Sequence, residues 1–235
     1  ISAAQEAIFS RGTAVGELAQ ELFPGGVDAS PEDYYNFQAS VAKTTEYIAR
    51  GEKIIYEAAF QHDGVLAALD ILVKKEGKWH AYEVKSSTSV SETYELDASL
   101  QYFVISKSGL PLESISIIHL NNQYLRVGNL DQKQLFTIAD ITEAVLALQE
   151  TVQNKIAELK TVLAMADVPD IPIGKQCSTP YTCDFHGHCW KHLPEERSVF
   201  TLYSARGKDW DLYNKGIYSL EEVPDDYPLT EKQQV

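Results

Sequence analysis

The sequence predicts an α/β protein, because helical and strand periodicities alternate along most of its 235 residues. Apolar residues recur at helical spacing in residues 1–22 and 30–50. Residues 53–60, 65–74 and 78–85 then have the composition of strands separated by short polar turns. A helical segment and a further strand follow. The predicted order is therefore helix, three-stranded antiparallel meander, helix and strand.

Different signals bound the two N-terminal helices. Val15 and Leu22 belong to the apolar face of the first helix, which stops at the turn Pro24-Gly25-Gly26. Ser30 is the expected N-cap of the second helix, because proline follows it and an acid lies three residues after it. Gly51 marks the expected end of that helix.

The elements after the meander are predicted from the same periodicities. Residues 94–106 have helical spacing, and residues 114–120 form a β-branched strand. We expect a further strand over residues 123–127 and a long helical stretch over 137–165, built as one helix or two. Its apolar stripe is expected to pack on the sheet.

A chain of this length supports one main domain with an extension. We expect a core over residues 1–166, a cysteine-rich segment over 167–195 packed on that core, and a partly irregular extension over 196–235. The chain starts at Ile1 without a methionine and shows no signal peptide, which suggests a fragment or processed form of a longer cytoplasmic protein.

Composition and charge limit the possible partners. Hydrophobic content is 44% and charged content 23%, and no stretch has the roughly 18 apolar residues of a membrane span, so no membrane partner is expected. The net charge of −14 argues against a simple phosphate-backbone binder. Contact with nucleic acid would need a local basic or metal-neutralised surface, or flanking regions of the full-length protein.

Acidic side chains and one lysine mark the ends of two predicted strands. Asp70 closes the apolar part of the second strand, and Glu83-Val84-Lys85 closes the third. Alternate side chains of a strand share a face, so Glu83 and Lys85 point the same way. Val84 then points into the core and leaves its carbonyl at the strand edge. Glu57, on the first strand, is a further ligand or a hydrogen-bond acceptor around the ligands.

This set has the chemistry of a phosphodiester-cleaving site. Two carboxylates and a carbonyl are the oxygen ligands that Mg²⁺ or Mn²⁺ prefers. The ion would activate a water molecule and neutralise phosphate charge, while Lys85 orients the nucleophile or stabilises that charge. Taken alone, the pattern also fits a solvated strand face.

Asp70, Glu83, Lys85 and Gln101 on the following helix together resemble the PD-(D/E)xK nuclease superfamily. The resemblance is to its RecB-like branch, which includes the CRISPR-associated iron-sulfur exonucleases, and it covers roughly residues 8–192. It implies a restriction-endonuclease-like core and a metal-dependent exonuclease acting on single-stranded DNA. It also implies that these four residues are catalytic, with Gln101 as an orienting group.

Two positions depart from that family. The tyrosine expected one turn after the glutamine is Ile105 here, and adjacent Tyr102 is the candidate replacement. Relatives often have a metal-binding histidine at the position of Gly16, for which Glu17 is the candidate substitute. Either metal binding does without that ligand, Glu17 replaces it, or activity is weakened.

Three cysteines lie close together near the C-terminal end, at Cys177, Cys183 and Cys189. An odd, closely spaced set suggests metal or cluster ligands more than disulfides. The family resemblance implies a 4Fe-4S cluster in the full-length protein, completed by a cysteine that precedes the core. A zinc site with His186 or His188 and reduced structural thiols are the alternatives, and the centre could be empty in a fragment.

Three hypotheses follow. The first is a metal-dependent DNA nuclease, and the second is a weak or inactive module with the nuclease fold that binds nucleic acid or a protein. The third is a zinc-bound interaction domain. The sequence leaves open DNA versus RNA, exonuclease versus endonuclease action, and the oligomeric state.

Overall fold

A six-stranded mixed sheet dominates the first part of the protein. The computed structural model describes residues 3–33 and 36–233. Internal contacts divide the chain into two units, Ile1–Ala166 and Asp167–Val235. The first unit combines the sheet with helices, so the chain is an α/β protein, as its sequence predicts.

The elements of the first unit follow one another along the chain. In order they are α1 (Ala3–Gln20), β1 (Val27–Asp28), α2 (Phe37–Arg50), β2 (Ile54–His62), β3 (Val65–Lys75), β4 (Lys78–Lys85), α3 (Glu92–Lys107), β5 (Leu112–Leu120), α4 (Gln132–Leu135), β6 (Phe136–Asp140), α5 (Thr142–Ala147) and α6 (Gln149–Leu163).

The strands lie in the sheet in their order along the chain. Strands β2, β3 and β4 pair antiparallel through two tight turns. Strand β1 pairs parallel with β2, and β5 pairs parallel with β4. Strand β6 adds an antiparallel edge to β5. The helix α3 is therefore the crossover between the parallel strands β4 and β5.

Two hydrophobic clusters lie on the two faces of the sheet. One joins the sheet to α3 through buried residues that include Leu72, Ile105 and Ile117. The other joins it to α1 and includes Val15 and Tyr82. Because side chains alternate along a strand, neighbouring residues of β4 serve different clusters.

The second helix begins later than the sequence predicts, and Ser30 is not its N-cap. Helix α2 starts at Phe37, where the Asn36 side chain accepts the backbone N–H of Ala39 at 3.3 Å. The Ser30 hydroxyl instead donates to the Asp28 carboxylate at 2.6 Å. Residues 34 and 35, which the predicted helix includes, lie outside the described residues.

Two predictions after β5 are wrong. Residues 123–127 form a turn without regular structure, and Leu125 and Val127 are 82% and 85% exposed, so no core is available to them as strand residues. The edge position is taken by β6, which includes Thr137 and other residues expected in a helix. The remaining helical stretch divides into α5 and α6 at Leu148.

The second unit is made of short helices and turns around aromatic side chains. It contains α7 (His186–Cys189), α8 (Lys208–Asn214) and several single 3₁₀ turns. Trp190, Phe200 and Trp210 contact one another with ring centroids 4.7 to 6.0 Å apart. In neither unit is any described helix both long enough and apolar enough to span a membrane.

Candidate active site

Strands β3 and β4 separate at one end, and the predicted acidic residues lie where they part. The two strands pair from Lys75 and Lys78 up to Ile71 and Tyr82. Beyond that point β4 continues to Lys85, paired only with β5. Asp70 and Glu83 come next on the two sides of this gap. We term it the strand fork and define it by Asp70, Glu83 and Val84.

Side chains replace the strand pairing that the fork lacks. The Asp70 carboxylate accepts the backbone N–H of Val84 at 2.5 Å. Gln101, on α3, donates to the Ala68 carbonyl at 3.3 Å and to the Glu83 carboxylate at 2.9 Å. The N–H and C=O of one strand residue point to the same neighbouring strand. The Val84 carbonyl therefore also faces the fork.

Glu57 extends the acidic row to a third strand. The pairs Tyr56–Ile71 and Ala58–Leu69 flank it, which places Glu57 opposite Asp70 in the register of β2 and β3. Its own backbone leaves the strand conformation, with φ at +54°. A left-handed conformation is unfavourable for a residue other than glycine, and such positions cluster at functional sites.

Burial and mutual repulsion make these carboxyls hard to ionise. Burial, then the carboxylates of Asp28 and Glu83, raise the pKa of Glu57 to about 7. Burial also raises the pKa of Asp70, with a further contribution from Glu57, although the Val84 N–H opposes the rise. Burial and then Asp70 raise the pKa of Glu83. Positive charge brought to the fork would relieve this repulsion.

Lys85 lies beside the fork with its ammonium held by two carboxylates. Its Nζ is 2.8 Å from a Glu83 oxygen and 2.6 Å from an Asp97 oxygen. It also lies 5.4 Å from the centre of the Tyr94 ring, within the range of a cation–π contact. Burial lowers the pKa of Lys85, but Glu83 and Asp97 outweigh that effect and raise it overall. The lysine is therefore a fixed positive charge.

The donors at the fork fit a small hard cation. Mg²⁺ is usually bound through one or two carboxylates and keeps several waters. Asp70, Glu83 and the Val84 carbonyl provide such a set. Within residues 3–33 and 36–233, no three His, Cys, Asp or Glu side chains form a group that could hold a metal ion, so the carbonyl and water would have to complete the coordination.

Comparison with known proteins gives only distant structural similarity. No protein-family model matches the chain, and no curated protein matches it in sequence. An alkaline exonuclease, LHK-Exo from Laribacter hongkongensis, is similar over 55% of this chain and 71% of its own, with 15% identity and a TM-score of 0.26. The protein SSO0001 is similar over 63% and 70%, with 12% identity and a TM-score of 0.25. Similarity at this level assigns neither a family nor an activity.

Two of the predicted accessory residues do not join the fork. Glu17 is exposed on α1. The buried residues of that helix, Val15 and Ala19, belong to the cluster on the face of the sheet that α3 does not cover. Tyr102 is half-buried and packs against the cluster that contains Ile105. Because the helix turns by about 100° per residue, Tyr102 points away from the direction of its neighbour Gln101.

The three cysteines occupy different environments in the second unit. Cys177 is buried, Cys183 is exposed and Cys189 is half-buried. The Cys183 backbone N–H donates to the Cys177 carbonyl at 2.9 Å, but the three thiols do not form a metal-binding group in the described part of the chain. His186 stacks on Trp190 with ring centroids 4.5 Å apart.

Sequence reasoning assigned no role to Asp97 or Tyr94. Both lie on α3, and they reach Lys85 because Tyr94, Asp97 and Gln101 are spaced three and four residues apart, on one helix face. That spacing could have been used to predict the contact. Asp97 lies one turn before Gln101, so a helix that places Gln101 beside Glu83 also places Asp97 within reach of Lys85.

Proposed function

We propose that the protein is a metal-dependent nuclease that hydrolyses DNA phosphodiester bonds at the strand fork. The supporting observation is that Asp70, Glu83, the Val84 carbonyl and Lys85 meet where two strands separate. A buried acid beside a half-buried one is costly to ionise, and acids whose pKa values are raised in this way are typical of functional sites that bind a charged ligand. A divalent cation with a phosphate is such a ligand.

Each residue of the fork has a separable task. Asp70, Glu83 and the Val84 carbonyl would hold Mg²⁺ or Mn²⁺, which when bound would activate water and neutralise phosphate charge. Asp70 also fixes the Val84 main chain through its 2.5 Å hydrogen bond. Gln101 orients the Glu83 carboxylate and ties it to β3 through the Ala68 carbonyl. Glu57 lies opposite Asp70 in the strand register and adds a third carboxyl to the site.

Lys85 acts through its charge in this proposal. An ammonium flanked by carboxylates at 2.8 and 2.6 Å has no lone pair with which to accept a proton. It can stabilise the negative charge that develops on the phosphate, or donate to an attacking water. A protonated lysine can serve in either role considered from the sequence, orienting the nucleophile or stabilising the charge, but it cannot serve as the base.

The finer description of the reaction rests on the motif resemblance. We propose exonuclease action on single-stranded DNA, because that is what the RecB-like motifs imply. The net charge of −14 means that backbone contacts away from the fork need local basic groups or flanking regions of the full-length protein.

The proposal is tested with labelled single-stranded DNA, duplex DNA and RNA in Mg²⁺, Mn²⁺ or chelator. We expect cation-dependent cleavage, and Asp70→Ala and Lys85→Ala should each lower the rate by about 100-fold or more, since the first removes a proposed cation ligand and the second a donor to the transition state, an effect of this size. Lys78→Ala is the matched control, because Lys78 is at the other end of β4 and pairs with Glu113 at 2.7 Å. Cleavage that persists in both site variants would refute the assignment.

A second candidate is a weak or inactive module that keeps this fold and binds nucleic acid or a protein. Pairing of Lys85 with Asp97 as well as Glu83 favours it, because an engaged lysine is less available to a substrate. This candidate predicts DNA binding, measured by fluorescence anisotropy, with no cleavage by the wild-type protein in either cation.

The cysteine segment supports a separate proposal, a 4Fe-4S cluster in the full-length protein with zinc as the alternative. The thiols are not gathered into a ligand set in the second unit, so no step of the reaction is assigned to this centre. Metal analysis and absorbance near ~400 nm after oxygen-free preparation distinguish iron-sulfur from zinc.

A further inference from the structure

Helix α3 supplies further partners for the ammonium of Lys85 in addition to Glu83. The Asp97 contact, at 2.6 Å, is shorter than the Glu83 contact, at 2.8 Å. Tyr94, one turn earlier, places its ring 5.4 Å from the same Nζ. Gln101, one turn later, contacts Glu83. One face of α3 thus touches both charged residues of the Glu-x-Lys strand.

The two partners of Lys85 differ in what else they can do. Glu83 is buried and is a proposed cation ligand, so a bound cation would compete with the ammonium for its oxygens. Asp97 lies on α3, its side chain is 43% exposed, and its carboxylate accepts a hydrogen bond from Lys85. Asp97 can therefore keep the long lysine side chain in place when Glu83 binds a cation.

We propose that Asp97 is a positioning residue, which holds the Lys85 ammonium at the strand fork while Glu83 binds the cation. The inference rests on the proposed nuclease function. Without Asp97, Lys85 has two alternatives: full pairing with Glu83, which blocks a cation ligand, or rotation into solvent. Both would lower the rate of the chemical step and leave DNA binding nearly unchanged.

The contact with Asp97 contributes little to folding stability, so an effect of Asp97→Ala on activity can be distinguished from an effect on folding. The Asp97 side chain is 43% exposed, and an ion pair with a solvent-exposed partner usually contributes little to folding stability. Helix α3 is held by buried residues such as Ala98 and Val104. Asp97→Ala should therefore fold with nearly the stability of the wild-type protein.

The first test is steady-state kinetics with single-stranded DNA and Mn²⁺. We expect Asp97→Ala to lower kcat by about 10- to 100-fold, the usual effect of removing a group that orients a site residue, with little change in KM. Asp97→Glu should restore most of kcat, because it returns the carboxylate. Glu92→Ala is the control, since it removes an exposed acid from the first turn of the same helix and should leave kcat unchanged.

The second test asks whether Asp97 acts through Lys85. In the Lys85→Ala background, Asp97→Ala should cause no further loss, because residues that act through one contact are non-additive. An independent additive loss would overturn the inference. An unchanged or increased kcat in Asp97→Ala alone would also overturn it.

A measurement without substrate separates this inference from the proposed function. The ¹⁵Nζ signal of Lys85 is assigned by its absence in Lys85→Ala, and it should shift in Asp97→Ala but not in Glu92→Ala. If the wild-type protein cleaves nothing, the proposed function fails. An unshifted Nζ signal in Asp97→Ala overturns the contact itself, whatever the activity.

Discussion

In the strand fork and the cysteine segment, separation along the sequence and proximity in the structure differ in opposite ways. Glu57, Asp70 and Glu83 lie 13 residues apart from one another in succession, yet the register of β2, β3 and β4 places them in one row. Cys177, Cys183 and Cys189 fall within 13 residues, yet they do not form one metal-binding group in the described chain. Sheet register brings residues together more reliably than closeness in sequence.

The two regions also treat charge differently. Burial and neighbouring acids raise the pKa values of Glu57 and of the two fork carboxyls, Asp70 and Glu83. In the second unit, hydrogen bonds from Lys215 and from backbone N–H groups lower the pKa values of Asp211 and Glu222. Of these two sets of carboxyls, the one at the fork is therefore the set whose mutual repulsion added positive charge would relieve.

The strongest test of this difference is the pH dependence of stability without divalent cations. A carboxyl with a raised pKa stabilises the folded state at low pH, and that contribution is lost as pH rises through the folded pKa. For Glu57, whose pKa is raised from 4.5 to about 7, the contribution should be present below about pH 4.5 and lost by pH 8. At 1.36 kcal/mol per unit, it amounts to about 3 kcal/mol.

Urea denaturation of the wild-type protein and Glu57→Gln from pH 4.5 to 8 measures this contribution. The fall in unfolding free energy with pH should be smaller in Glu57→Gln, and Mn²⁺ at pH 8 should recover part of it in the wild-type protein. Glu46→Gln is the control, because Glu46 is exposed and pairs with Arg50 on α2. If unfolding free energy falls equally with pH in the wild-type protein and in Glu57→Gln, the proposed repulsion among these carboxyls would be contradicted.

The next effect in size concerns the side chain that bridges the fork. Gln101→Ala removes the donor to Glu83 and to the Ala68 carbonyl. The Glu83 oxygen that Gln101 contacts is buried, and leaving a buried acceptor without a donor costs about 1–3 kcal/mol, so we expect the unfolding free energy to fall by about 2 kcal/mol. Gln153→Ala, at an exposed position of α6, should change it by less than about 0.5 kcal/mol. A Gln101→Ala protein as stable as this control would show that the bridge is not structural.

The sequence predicted most of the sheet because its signals there are local. Strand β4 spans Lys78–Lys85, the residues expected, since turn residues bound it on one side and its pattern alternates. The edge strand was missed because Phe136–Asp140 runs directly into helical periodicity at Thr142. The false strand at residues 123–127 has alternating apolar residues at Leu125 and Val127, and only the tertiary structure shows that both are exposed.

The acids of the candidate site and Gln101 were predictable from the sequence, whereas other supporting features were not. Asp70 and Glu83 follow from the hairpin between their strands. The separation of β3 from β4, the left-handed backbone of Glu57 and the contact of Asp97 with Lys85 depend on tertiary structure. Glu17 and Tyr102 were chosen because they are adjacent in sequence to Gly16 and Gln101. On a helix, adjacent side chains point in directions about 100° apart.

The smallest effect is in the second unit. In metal-free protein, Cys183 should react with iodoacetamide about tenfold faster than Cys177, because the first thiol is exposed and the second is buried. Peptide mass spectrometry after timed quenching measures both rates. Equal rates would contradict the described environments, and joint protection of all three thiols in oxygen-free preparations would indicate a shared metal centre.

The Val84 carbonyl has a consequence for genetics. It faces the fork as part of the main chain, which every amino acid at position 84 would also supply. Substitutions of the Val84 side chain should therefore leave activity unchanged, apart from effects on packing against the cluster that contains α1. Semisynthesis could replace the amide that contains this carbonyl with an ester. The ester would make the carbonyl oxygen a weaker cation ligand without altering any side chain.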